Sequence, residues 1–358
     1  MDKNSPKYIR KLVELISAPI TKPFYTLPTE NHTFMSAGMG AELLLEKVMA
    51  LLKVAGFSTS DRVSTRPRSF DVAARKDDAL LFLKCLHNID SLSREAAREL
   101  AKVAHCLTGS ACVVGERARS QPIEQNVVYV RYGVPVVSFE TLYDSLVEDI
   151  PPLVQSEHGG LYTSISGERL REFRVSRNMS IGSVAQMLGA SRRTVKKYEE
   201  GEMKLSVDVA VKLEELFDTP LVVPIDFLSP HHEEGVPDAN EQCGVEKDTT
   251  TRLLFDLLRQ IGFEVLPTRQ APFTALSKEH LFTMLTVVTQ RPSQSLVKRA
   301  RLMSSISEVV GTESICILGK GLSTEHIERT AILATEELKR VNDPLELLLL
   351  IRERVGDN

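Results

Sequence analysis

Residues 160–228 constrain the fold more tightly than any other stretch of the chain. Apolar residues recur there at helical spacing, but each run is short and each is cut by a helix-ending residue. One helix is expected over 167–177, a second over 181–188 behind Ser180, a third over 192–200 behind Ser191, and a fourth over 206–217. Gly189 and Gly201 break the second and third, since glycine adopts the left-handed conformation that closes a helix without a Cβ clash. Helices this short are marginal alone in water, so they form only by packing on one another. A pair joined by a three-residue turn then needs a small residue where the two helices cross. Ala185 meets that need, and Val184, Leu188, Ala190, Val195 and Tyr198 are the buried set that fixes the crossing angle. The remaining third-helix positions, Ser191, Arg192, Arg193, Thr194, Lys196 and Lys197, face outward together. On the first helix Leu170 and Phe173 point inward, and Arg169, Arg171, Arg174 and Arg177 point mostly outward.

Charge singles out the same segment. The whole chain of 358 residues carries 44 basic and 48 acidic side chains, a formal net charge of -4. Residues 165–204 alone hold nine basic and five acidic residues, whereas 229–250 hold six acids and one lysine. A chain that is acidic overall is no polycation, but a local basic face is enough to engage phosphate. With no Trp and only 13 Phe and 7 Tyr, stacking single-stranded bases on aromatic platforms is disfavoured.

The pattern Ser180-x-x-x-Val184-Ala185-x-x-Leu188-Gly189-Ala190-Ser191, followed by Val195-x-x-Tyr198-Glu199-x-Gly201, resembles the lambda-repressor/Cro-like helix-turn-helix family. The resemblance implies that the third helix enters the major groove of double-stranded DNA. Arg192 and Arg193 are then placed for bidentate contacts to guanine. Lys196, Lys197 and Arg169 are placed for phosphates, with Ser180, Ser191 and Thr194 completing the surface. The family's phosphate-contacting glutamine at the start of the second helix is replaced here by Ile181, and Ser180 or Ser183 is left to substitute.

On either side the alternation of apolar runs and turns reads as α/β. In the first unit, helices are expected over 42–54, 93–107 and 140–147, with strands over 70–74, 79–86, 111–114, 127–130 and 135–138. The other end of the chain repeats this order. Leu51 to Phe57 aligns with Leu257 to Phe263, Leu81-Phe82 with Leu281-Phe282, and Ser91-Leu92 with Ser295-Leu296. Cys112-Val113-Val114-Gly115 aligns with Cys316-Ile317-Leu318-Gly319, and Glu140-Thr141-Leu142 with Glu336-Glu337-Leu338. The expected organisation is an extension over 1–37 with one helix from Ser5 to Ile16, an α/β domain over 38–152, the helical domain over 160–228, an acidic linker over 229–250, and a degenerate copy of the first domain over 251–358.

Phe70-Asp71 on one strand, Lys84 on the next and Glu46 on the preceding helix resemble the restriction-endonuclease-like fold. Active members place a second acid two residues before the lysine, to help hold Mg²⁺. Phe82 occupies that position, so the resemblance implies an inactive scaffold with Asp71 and Lys84 as a residual ion pair. In the second copy Thr274 aligns with Asp71 and Met284 with Lys84. The arginines and lysine of 61–78 form a mixed polar loop beside the helical module, able to graze DNA.

The wider element order resembles a family of archaeal helix-turn-helix transcriptional regulators. The matching pieces are Phe70-Asp71-Val72-Ala73-Ala74-Arg75-Lys76, Asn88-Ile89-Asp90, Tyr129-Val130-Arg131-Tyr132-Gly133-Val134-Pro135, Gly159-Gly160-Leu161-Tyr162 and Ser191-Arg192-Arg193-Thr194-Val195. The expectation is a cytoplasmic, non-enzymatic regulator that binds double-stranded DNA as a homodimer. The paired α/β domains would supply a dimer interface, a partner surface or an effector pocket. An Mg²⁺-dependent nuclease and a protein-interaction scaffold are the alternatives. No cofactor and no metal site are expected: the five cysteines include no C-x-x-C pair, and Cys243 with His231 and His232 makes a poor zinc set. Gly319-Lys320-Gly321 lacks the spacing of a phosphate loop. No apolar run approaches the ~20 residues of a membrane span.

Overall fold

The computed structural model describes residues 37–230, 249–280, 282–319 and 324–356. The expected helix from Ser5 to Ile16, most of the acidic linker, and Cys243 with His231 and His232 lie outside the described residues. Among them no helix is long and apolar enough to cross a membrane.

The first unit runs α1 (Ala37–Val54), β1 (Ser58–Thr59), β2 (Val72–Lys76), β3 (Ala79–Asn88), α2 (Arg94–Cys106), β4 (Ser110–Ala118), β5 (Gln121–Pro122), β6 (Val127–Arg131), β7 (Val134–Ser138) and α3 (Phe139–Leu146). Helix α1 stops at Gly56, whose φ is +85°, and the Phe57 amide closes the turn on the Leu52 carbonyl at 2.8 Å. Ser93 caps α2 by accepting from the Ala96 amide. Strands β3 and β4 pair in parallel and are buried almost continuously from Leu80 to Cys85 and from Ser110 to Gly115. Such strands need helices on both faces. Helix α1 covers one face with Leu44, Leu45 and Val48, and α2 lies on the other with Ala97, Leu100 and Val103.

A hairpin absent from the sequence reading comes next. β8 (Val154–Glu157) and β9 (Gly160–Thr163) turn through Gly159, and β8 pairs in parallel with β6. The helical module follows as α4 (Gly167–Ser176), α5 (Ile181–Leu188), α6 (Arg192–Glu199), β10 (Leu205–Ser206) and α7 (Val207–Phe217). Because β10 pairs with β9, one sheet in the order β1-β2-β3-β4-β7-β6-β8-β9-β10 runs from the first unit into the module, with β5 folded on β4. The chain then returns: Ile225 donates to the Pro152 carbonyl, and Phe227 is buried in the core that α1 covers.

The last stretch contains α8 (Thr249–Ile261), β11 (Glu264–Pro267), β12 (Ala275–Lys278), β13 (Thr283–Thr289), α9 (Gln294–Val310), β14 (Glu313–Leu318), β15 (His326–Ile327), β16 (Thr330–Ala334), α10 (Thr335–Leu338) and α11 (Pro344–Val355). Its strand order, β11-β12-β13-β14-β16-β15, and its strand directions match those of β1-β2-β3-β4-β7-β6. Gly262 repeats the positive φ of Gly56, and Phe263 bonds the Leu258 carbonyl as Phe57 bonds that of Leu52. Ser138 and Ala334 hold equivalent N-cap positions, so the alignment of Glu140 with Glu336 stands.

Three other alignments shift. Leu83 pairs with Cys112 as Thr286 pairs with Ile315, which makes Val113 the counterpart of Cys316. The helix caps Ser93 and Ser293 are equivalent, which displaces the Ser91–Ser295 match. Leu281 lies outside the described residues, and the register puts Leu285 opposite Phe82. Strand pairing fixes these equivalences, whereas apolar dipeptides recur too often to do so.

The apolar face of α2 is not exposed. Ala97, Leu100, Val103 and Ala104 share one buried cluster with Leu285, Ala300, Met303 and Ile306 of the last unit. The two sheets therefore stack with α2 and α9 between them, while α8 and α11 close the far side with Leu258, Leu347 and Ile351. Leu100→Ala and Met303→Ala should each cost about 2–5 kcal/mol. Each should lower one shared melting transition, followed by circular dichroism and calorimetry. Two transitions with only one displaced would show independent cores.

Candidate nucleic-acid interface

The first three helices of the module are each capped by a serine, whereas Ser206 before α7 makes no side-chain cap. Ser166, Ser180 and Ser191 accept from the amides of Arg169, Ser183 and Thr194, each worth about 1 kcal/mol to its helix. Gly189, at φ +66°, closes α5 in the left-handed region. Val184, Ala185, Val195 and Tyr198 are buried with Leu170, Leu213 and Phe217, while Leu188 is half-buried at the edge. Gly167 is required by approach: a Cβ there would run into the carbonyls of Tyr198 and Glu199 at the end of α6.

The outward set of α6 is largely as expected. Ser191, Arg192, Arg193 and Lys196 are exposed, and Thr194 and Lys197 are half-buried. Ser180 and Arg169 are exposed on the neighbouring helices. Lys196 reaches Glu200 at 3.3 Å across the surface, a contact weak enough to be exchanged for a phosphate. The Arg192 guanidinium rests on α5, where a Cβ at Gly182 would lie 2.9 Å from its Nε. Among the described residues neither Arg192 nor Arg193 has an ion-pair partner.

Two of the arginines expected to face outward are engaged by the fold: Arg174 is largely withdrawn from solvent, while Arg177 stays exposed but is tied to α7. Arg174 forms a two-pronged contact with Glu199, Nε to Oε1 at 2.5 Å and Nη2 to Oε2 at 3.0 Å, and Nη1 donates to the Met179 carbonyl. With side-chain exposures of 12% and 7%, this pair clamps α4 to α6, and the Glu199 hydrogen bond holds Arg174 above its ordinary pKa. Arg177 donates to the carbonyls of Leu216 and Phe217 at the end of α7 and stacks over the Phe217 ring. The glutamate of the Tyr-Glu-x-Gly pattern was the only sequence signal for the clamp. Glu214 is a second buried acid: Oε1 accepts from the amides of Leu221 and Val222, while Oε2 has no partner among the described residues. Burial pushes its pKa up, and Arg169 offsets this in part.

The residues expected to form a nuclease-like remnant are only partly brought together. Asp71, just before β2, comes beside Lys84 on β3, since its amide bonds the Leu83 carbonyl. They do not form the expected ion pair. Asp71, 2% exposed, is bound instead by the Arg68 guanidinium, and its Oδ2 accepts from the Cys85 amide at 2.7 Å. Lys84 donates to the Arg68 carbonyl at 2.8 Å, and burial lowers its pKa against the opposing pull of Asp71. Glu46 stands exposed on α1, across the sheet. Phe82 is buried edge-on against Phe70, their centroids 5.3 Å apart. Arg68 thus places a fixed cation on the carboxylate that a metal would otherwise neutralise, and only its i, i+3 spacing from Asp71 hinted at this.

In the last unit Thr274 is the counterpart of Asp71, as expected, and its Oγ1 accepts from the Val288 amide just as Asp71 accepts from Cys85. Register makes Val287, not Met284, the counterpart of Lys84. Much of the basic character of the 61–78 loop is engaged within the fold, although Arg66 stays exposed. Arg62 pairs with Glu42, Arg75 donates to the carbonyls of Val309 and Val310, and Lys76 donates to the Ala55 carbonyl.

Comparison with known proteins agrees with this division. Residues 41–152 match the PD-(D/E)XK superfamily domain, and residues 170–223 match the helix-turn-helix domain. A "Putative HTH-type transcriptional regulatory protein" of Methanococcoides burtonii is 42% identical over 317 residues, covering 88% of this chain and 98% of the relative. Its namesake in Methanosarcina mazei is 43% identical over 322 residues, with 88% and 98% covered. That of Halorubrum lacusprofundi is 40% identical over 319 residues, again with 88% and 98% covered. No solved structure matches the chain.

Two measurements test the architecture of the module. Arg174→Ala leaves the buried Glu199 carboxylate without its cation and should destabilise the module by about 3 kcal/mol, read by denaturant unfolding. For Glu214 the raised pKa means that its contribution is complete below the ordinary carboxylate range and is lost as pH rises through the raised value. Glu214→Gln should therefore gain in melting temperature over the parent from pH 4 to pH 7. A constant difference would show that the carboxyl titrates alike in the folded and unfolded chain.

Proposed function

The chain belongs to the family of HTH-type transcriptional regulatory proteins that these archaeal relatives represent, and we propose that it regulates transcription by binding double-stranded DNA, reading the major groove with α6. One observation carries the reading. The exposed face of α6 presents Ser191, Arg192, Arg193 and Lys196 to solvent, while its opposite face is buried and clamped through Arg174 and Glu199. A helix braced in this way presents its side chains with little ordering left to do on binding.

The roles divide by position. Arg193, exposed on the first turn of α6, is placed to meet base edges. Arg192, lying across Gly182, spans the front of both helices and reaches either a base or the adjoining phosphate. Lys196, Lys197 and Arg169 serve the backbone of the duplex, and the hydroxyls of Ser180, Ser191 and Thr194 sit at the two helix starts where phosphates are favoured. We place the protein in the cytoplasm, where the free thiols of Cys85, Cys106, Cys112 and Cys316 would stay reduced. Burial raises the pKa of each, that of Cys316 to about 12, which makes them poor nucleophiles. A palindromic site would call for a homodimer, but the α2 and α9 faces are covered within one chain and do not supply such an interface.

The PD-(D/E)XK match favours a second reading, metal-dependent cutting. Phe82 at the second acid's position and the Arg68 contact on Asp71 speak against it. Selection of duplexes from a random pool by the full chain should yield a motif whose affinity falls about 10- to 100-fold in Arg192→Ala plus Arg193→Ala. Lys196→Ala should instead weaken all sequences alike and reduce the salt slope by about one. Unchanged affinity in the double variant would overturn the placement. Cutting of the selected duplex with Mg²⁺ that Asp71→Ala abolishes would establish the enzyme reading.

A further inference from the structure

Each α/β unit offers the same surfaces to the other. Asp61 and Pro267 stand four residues beyond the equivalent phenylalanines Phe57 and Phe263, and each meets the other unit's helix. The Asp61 amide donates to Ser305 Oγ on α9 at 2.7 Å, and the Pro267 carbonyl accepts from Lys102 Nζ on α2 at 2.6 Å. Arg75 and Lys278 are likewise equivalent, since they pair with Ser58 and Glu264. Arg75 donates to the carbonyls of Val309 and Val310 at the end of α9. Lys278 lies close enough to the end of α2 to act on the Cys106 thiol. Between these polar contacts Leu100 and Val103 of α2 and Ala300, Met303 and Ile306 of α9 share one dry core. Reciprocal contact of like with like is the mark of a two-fold, isologous interface, here between two parts of one chain.

The pair is symmetric, but what it carries is not. The β6 edge of the first sheet continues through β8, β9 and β10 into the helix-turn-helix module. The equivalent β15 ends its sheet, and α10 and α11 follow β16.

We propose that the C-terminal α/β unit is the built-in two-fold partner of the N-terminal unit, so that a single chain is complete as a dimer-like body with one DNA-reading head. A unit of this kind standing alone would expose the apolar face of α2 and would need a second copy to cover it. Here α9 covers that face. One head meets one site, so the DNA sequence it selects is a single stretch without two-fold symmetry. The single-site part rests on the DNA-binding reading above; the pairing of the units does not.

The test uses the full chain. Asp61→Cys with Ser305→Cys, in a background with Cys106 and Cys243 replaced by serine, is oxidised and run on a denaturing gel. In parallel, light scattering gives the mass of the unmodified protein, free and bound to a duplex selected from a random pool. The expected results are a crosslinked species of one-chain mass, one chain per duplex, and a selected motif that is not a palindrome. Crosslinked dimers would show that the units pair between chains, and two chains on a palindromic duplex would overturn the single head. If no duplex is selected, the DNA-binding reading fails, and the crosslink and the free mass still decide the pairing.

Discussion

The structure rests on the need of a parallel strand pair for cover on both faces. β3 and β4 are buried over most of their length in the first sheet, and β13 and β14 likewise in the second. One helix per unit lies on the inner face, and one helix is not wide enough to seal it. Stacking the two sheets with α2 and α9 between them buries both inner faces at once. Most other features follow from that decision: the polar loops that cross from one unit to the other, the engagement of Arg75, and the loss of much of the 61–78 loop as a free basic surface. The near-neutral exterior of these units leaves the basic character of the chain to the module between them.

The clamp between Arg174 and Glu199 has the same role on a smaller scale. The helices of the module are ten, eight, eight and eleven residues long, too short to be stable singly. Their caps and the shared core of Leu170, Val184, Val195 and Leu213 hold them, and the buried ion pair fixes α4 against the end of α6. Two of the nine basic residues that gave this segment its positive charge are thereby spent on the fold. Those that remain outward are concentrated on α6, so the local charge is smaller than the count suggests but better directed.

Much of this was legible in the sequence because it rests on local rules. Serine before an apolar run marked three helix starts of the module, Gly189 marked its turn, and the apolar runs of the first unit gave its five longer strands within a few residues. Register was less legible. Thr274 was matched to Asp71 correctly, but Lys84 was matched to Met284 because similarity of short apolar words cannot count residues across a loop. Ion partners were harder still. Nothing in the chain order says that Arg174 will find Glu199 twenty-five residues on, or that Arg68 will take Asp71 before Lys84 can. The β8–β9 hairpin escaped because its two strands are only four residues each and mixed in polarity, so alternation is weak.

The unbroken sheet from β1 to β10 has one more consequence. The module is joined to the first unit through paired strands, so its attachment to the stacked pair is part of the fold. On the single-head proposal, a head carried by an off-centre body would give the protein a front and a back along the double helix. Turning it end for end on its site would place the bulk of the molecule on the opposite flank. Such a protein marks direction as well as position, which a symmetric dimer centred on its own axis does not.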